Sequence, residues 1–147
     1  MKFIIKGDPH PQGRPRGMRM GKAIRIYEAT KDRKWKQDAA KQIIAQLPID
    51  ESRPLFRSGV PVRVMVQFCF TCPKSDHRKR EPKGTRWHAK KPDIDNLIKS
   101  VLDAANGILW ADDGQVVWLS ASKYILAQDD EEPHTSLTVD PLSELET

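Results

Sequence analysis

The stretch VPVRVMVQFCF, residues 60–70, alternates without a break. Val60, Val62, Val64, Val66, Phe68 and Phe70 share one face; Pro61, Arg63, Met65, Gln67 and Cys69 share the other. Period-two alternation describes a half-buried β-strand, and the mixed second face predicts an antiparallel neighbour. A strand of this kind requires a sheet and a layer to cover its apolar side. Two segments can supply that layer. Residues 30–47, TKDRKWKQDAAKQIIAQL, repeat Trp35, Ala39, Ile43 and Leu47 at helical spacing, with Thr30 as the expected N-cap, Trp35 in the core and Pro48 as the stop. A second helix carries Ile94, Leu97, Ile98, Val101, Leu102 and Ala105 on one stripe and ends at Asn106-Gly107.

Further strands are expected at KFII (residues 2–5), in QVVWLSASKYILAQ (residues 115–128), at TSLTVD (residues 135–140, as a final edge strand), and as a short piece at AIRIY. The order strand, basic loop, helix, strand, basic loop, helix, strand, strand implies an α+β fold, a small mixed sheet with two main helices packed on it. A length of 147 residues suits one domain. We divide it into residues 1–128 and an acidic C-terminal segment, 129–147, that includes the possible edge strand. No apolar run reaches membrane-spanning length and the N-terminus has no secretory pattern, so the expected location is cytoplasmic, with no membrane partner.

Charge is distributed unevenly. Residues 129–147 hold seven acidic residues and no Lys or Arg, which leaves 25 basic against 13 acidic residues in the remainder. Such an excess favours a polyanionic partner, nucleic acid above all. The basic residues gather in two loops. Residues 6–25 bring Arg14, Arg16, Arg19, Lys22 and Arg25 together among prolines and glycines that rule out a helix interior. Residues 73–91 carry eight Lys or Arg, among them Lys79, Arg80, Lys90 and Lys91, against Asp76 and Glu81. Each loop is either a solvated surface segment or an arm that meets phosphates; the second reads as a mobile flap. Cys69 and Cys72 form a C-x-x-C at the end of a strand, without further zinc ligands, and read as ordinary reduced thiols.

The chemistry concentrates in KKPDIDNLIKSVLDAANGILWADDGQ, residues 90–115. In an extended approach to the helix, Asp93 and Asp95 would point the same way while Ile94 points into the core. An aspartate helix cap accounts for the same pattern. Lys99 follows one turn after Asp95. Asp112 and Asp113 come after the helix, and a strand returning beside the helix start would add a third carboxylate to the pair. Oxygen ligands of this type suit Mg²⁺. Asp103 reads as solvated.

These residues carry a resemblance. The block KKPDIDNLIKSVLDAANG followed by WADDGQVV, with GRPR near the N-terminus and Lys123 in SASKY, resembles the RusA family of Holliday-junction resolvases, many of them phage or prophage encoded. The resemblance implies an α+β homodimer that cuts four-way DNA junctions by paired nicks in recombination and repair, using Mg²⁺ or Mn²⁺. It further implies that Asp93, Asp95 and Asp113 bind the metal, that Lys99 is the catalytic lysine, and that Lys123 lies near the DNA. Two rival readings stay open: a non-catalytic nucleic-acid-binding protein, and a broader branched-DNA nuclease or RNase.

Overall fold

The computed structural model describes residues 1–14, 16–129 and 131–145, with the side chains of Arg16 and Tyr27 left out. Seven strands and two helices follow one another as β1 (Lys2–Lys6), β2 (Arg16–Met20), β3 (Ala23–Tyr27), α1 (Thr30–Gln46), β4 (Val62–Phe70), β5 (Arg86–Trp87), α2 (Ile94–Ala105), β6 (Val116–Ile125) and β7 (His134–Pro141). Five of the strands form one mixed sheet in the order β1-β7-β4-β6-β5. The fold is α+β.

The strand with the clearest alternation occupies the centre. β4 pairs antiparallel with β7 and parallel with β6. Val62, Val64, Val66 and Phe68 are buried in one cluster with Phe3, Ile5, Ala39, Ile43, Leu97, Val101, Leu109, Trp110, Leu137 and Val139. Each large aliphatic side chain fully buried there contributes roughly 1.5–3 kcal/mol. Both helices pack on this face and against each other. The alternation ends at Cys69, which is buried although it lies on the second face; burial pushes its thiol pKa up.

Several expectations are corrected. The final strand is not at an edge: β7 lies between β1 and β4, since its inward face of Thr135, Leu137 and Val139 is needed to close the core. The short strand expected at AIRIY is β3, but residues 16–20, expected as loop, pair with it as β2 in a free-standing two-stranded ribbon, because Gly21, at φ +62°, makes the tight reversal that lets Arg19 pair with Ile24. Helix α1 is capped by Ala29, not Thr30, and without a side-chain bond. Trp35 is half-buried against the core and stacks on His10 at 6.1 Å.

The 73–91 segment is clasped to the sheet rather than standing off as a flap. Arg86 meets Asp76 at 2.5 Å. Gln128 accepts from the Arg78 amide at 2.7 Å and donates to the Arg78 carbonyl at 2.8 Å. The His88 amide donates to the Lys123 carbonyl at 3.1 Å.

The two sides of the sheet end differently. On β1, the side chains of Gln42 and Gln46 bond the free backbone groups of Lys6 and Ile4 at 2.7–3.4 Å. On β6, β5 pairs only with Tyr124 and Ile125, and Val117, Trp118 and Leu119 are exposed. No helix among the described residues is long and apolar enough to cross a membrane.

Candidate active site

Asp93 is the N-cap of α2, with φ −71° and ψ 142°, and Asp95 lies in the first helical turn. Ile94 between them is already helical and packs against the core. The pair is therefore set by a cap and a first turn rather than by strand alternation. The Asp93 carboxylate makes no capping bond; Lys91 Nζ lies 3.1 Å from it. Both carboxylates are exposed at the positive end of the helix dipole, an environment that stabilises anions and concentrates their field. Lys99 is exposed one turn further on.

Two recesses meet at this pair. One is lined by Pro11–Arg14, Lys91, Pro92, Asp93, Asp95 and Asn96, and the other by Trp87–Lys91, Asp93–Asp95 and Ala121–Lys123. Arg14, Lys90, Lys91 and Lys123 thus surround the carboxylates. Lys79 and Arg80 line a separate recess within the clasped loop, and Arg19 is exposed on the ribbon. The side chain of Arg16 lies outside the described residues.

The first wall is built by a latch that the sequence does not advertise. Buried Asp32, in the first turn of α1, accepts from His10 Nε2 at 2.6 Å and from the Gly13 amide at 2.9 Å. Burial pushes its pKa up, but the His10 and Gly13 hydrogen bonds outweigh that and hold it below the ordinary carboxylate value. A Cβ at Gly13 would sit 2.8 Å from Asp32 Oδ2, so any larger residue there would have to push the Asp32 carboxylate aside. The Gln12 amide then bonds the Asn96 carbonyl at 2.9 Å, fastening the loop beside Asp95.

The second wall depends on Lys123. Its ammonium donates to the carbonyls of Lys90 and Pro92, both at 2.7 Å, and so fixes the turn that delivers Asp93. Its third N–H has no partner among the described residues. His88, packed edge-on against Phe70 at 4.7 Å, has its pKa lowered by burial and then by Lys123 and Lys90.

Asp113 sits elsewhere. Buried Trp110 donates from Nε1 to Asp113 Oδ1 at 2.8 Å, and the Trp110 carbonyl accepts from Gly107 at 2.7 Å, just past the end of α2. Asp112 caps the short 3₁₀ turn Asp113–Gln115 through a capping box with Gln115. The buried Gln115 amide reaches the carbonyls of Phe56, Arg57 and Val60 at 2.9–3.4 Å. This mount lies beyond the opposite end of α2 from Asp93; the helix has 12 residues and so spans about 18 Å. The cause is topological. β4 and β6 are parallel, so α2 runs against both, and β6 returns to the helix start only at Lys123. Among the described residues no group of three or more His, Cys, Asp or Glu is placed to hold a metal ion. Within one chain, Asp93 and Asp95 come together and Asp113 does not join them.

The chain matches the family described as Endodeoxyribonuclease RusA over residues 6–140. It belongs to the RusA endodeoxyribonuclease family. The RusA match takes in both acidic pairs, both walls of the recesses and all of β7 but Pro141. Among curated relatives, the chain is 33% identical over 148 residues to the uncharacterized protein YqaN of Bacillus subtilis (strain 168), covering 97% of each chain. It is 31% identical over 80 residues to the crossover junction endodeoxyribonuclease rusA of Lactococcus phage r1t, covering 54% of this chain and 56% of that protein.

Proposed function

We propose that this RusA-family chain is a structure-selective endodeoxyribonuclease that uses a divalent metal to resolve four-way DNA junctions by paired nicks, in recombination and repair. The observation that carries the reading is the exposed Asp93–Asp95 pair, free of capping duty, at a helix start ringed by Arg14, Lys90, Lys91 and Lys123. A helix start crowded with carboxylates repels a phosphodiester unless a cation lies between them, and hard oxygen donors fit Mg²⁺, with Mn²⁺ as a substitute. A cation held there would supply Lewis-acid activation of water and of the scissile phosphate. The chain's own groups do the rest: the basic rim holds the backbone, Lys123 keeps the Asp93 turn in place, and Lys99 faces developing negative charge.

A three-carboxylate site including Asp113 requires a second copy. The stretch of β6 before Tyr124, left open by β5, suits that role, since antiparallel pairing with its counterpart sets the start of one stretch beside the finish of the other. The partner subunit's Asp113 then approaches Asp93 and Asp95, and a two-fold axis yields two equivalent sites for a two-fold junction. The test is cleavage of a synthetic four-way junction with and without Mg²⁺, using wild type and Asp113→Asn. Mg²⁺-dependent symmetrical nicking by wild type, with binding but no cleavage by the variant, is expected. Intact junctions with wild type and Mg²⁺ would leave a DNA-binding protein; equal cleavage of flaps or RNA would broaden the substrate class.

A further inference from the structure

Trp87 is unusual among the aromatic side chains. It is 71% exposed, on the two-residue strand β5, and it lines the same recess as Asp93 and Asp95. One face of its indole is backed by Tyr124, with ring centroids 4.8 Å apart and planes 24° from parallel. Here the ring is held flat by Tyr124, and the next residue is tied by its amide to the Lys123 carbonyl. The Lys123 ammonium holds the Pro92 carbonyl, next to Asp93. One residue therefore couples the aromatic platform to the carboxylate pair. Lys90 and Lys91 complete the rim.

We infer that Trp87, backed by Tyr124, is a stacking platform for a DNA base displaced from its helix beside the scissile phosphate. This inference rests on the nuclease reading above. Aromatic faces bind bases with little regard for sequence, provided that the base offers its π-face. Bases within a continuous duplex do not; bases at a branch point can be unstacked and swung out. The platform thus selects branched over linear DNA, not one sequence over another. The alternative occupant of the exposed ring is a second copy of this chain.

The test places 2-aminopurine at the branch-point positions of a four-way junction and measures its fluorescence with full-length protein in EDTA, so that no cleavage is needed. Wild type is expected to change the emission at one or more positions, Trp87→Phe to keep most of that change, and Trp87→Ala to abolish it. Junction affinity should fall about tenfold in Trp87→Ala, with linear-duplex affinity within about twofold, since phosphate contacts alone set the latter. The same emission change in Trp87→Ala as in wild type overturns the inference. So does a shift of that variant from dimer to monomer in sedimentation, which would assign the ring to the subunit interface. Emission changes without any cleavage in Mg²⁺ would sink the nuclease reading and leave the platform standing.

Discussion

The two acidic pairs look alike in the sequence and are built in opposite ways. Asp93 and Asp95 open α2 with carboxylates that make no capping bond, and their surroundings are held by remote contacts from His10, Asp32 and Lys123. Asp112 and Asp113 sit beyond the other end of the helix in a mount whose inner contacts are near neighbours, a capping box and the Trp110 indole, and which Gln115 ties to the distant carbonyls of Phe56, Arg57 and Val60. The first pair is a site whose scaffold is long-range; the second is a small folded turn that presents one carboxylate. On the reading proposed above, two ligands at one end and a single ligand at the other would be complementary halves of a site shared by two copies.

The sharpest way to break this comparison is complementation. Asp93→Asn and Asp113→Asn should each lower junction cleavage by about a thousandfold or more, on the scale of several kcal/mol of lost charge stabilisation. Equal mixing after subunit exchange should restore nicking to about a quarter of the wild-type rate, since half the dimers would carry one intact site. If both pairs acted within one chain, the mixture would stay inactive. Substitution of Lys123 by Met comes next. It removes two charge-assisted bonds from the Asp93 turn and should reduce kcat about ten- to a hundredfold, as loss of groups behind metal ligands commonly does. Lys123→Arg should recover part of that loss, and a retained urea midpoint would show that the fold is not at issue.

Asp112→Ala probes the other end. It removes the cap and should cost about 1 kcal/mol of stability, read from urea unfolding, with cleavage changed only a few-fold. A loss as deep as that of Asp113→Asn would mean that Asp112 is a ligand as well. The smallest effect concerns acid. The Asp32 carboxyl titrates below its ordinary value of 3.8 in the folded chain. Its stabilising contribution is therefore complete above about pH 4–5 and fades as pH falls through the folded value. Urea midpoints measured from pH 6 down to 3 should fall less steeply for Asp32→Asn, which starts from a lower plateau.

The fold was legible where periodicity is strong. Val60–Phe70 and the two apolar stripes announce their elements because burial of one face dictates residue type directly. The Asp93–Asp95 pair was equally visible from spacing. Strand partners were not. β7 inserts between β1 and β4, and β6 runs parallel to β4, through pairings that leave no local trace in side-chain order. The distance between the acidic pairs follows from that parallel pairing, so it was hidden with it. His10 and Asp32 are separated by 22 positions, and Trp87 and Tyr124 by more, and neither contact has a periodic signal. The ribbon at residues 16–27 was legible only in its second half, the strand at AIRIY; Gly17 and Gly21 suggest irregular chain, while Gly21 in fact serves a tight reversal.

The glutamines of α1 have a consequence for stoichiometry. Gln42 and Gln46 occupy the hydrogen-bonding groups along the outer rim of β1, leaving the start of β6 as the sheet's long unpaired rim. A sheet with two adhesive rims could add copy upon copy and grow into a fibre. With one rim occupied by its own helix, strand addition is open at one rim alone among the described residues, and pairing there would close at two copies.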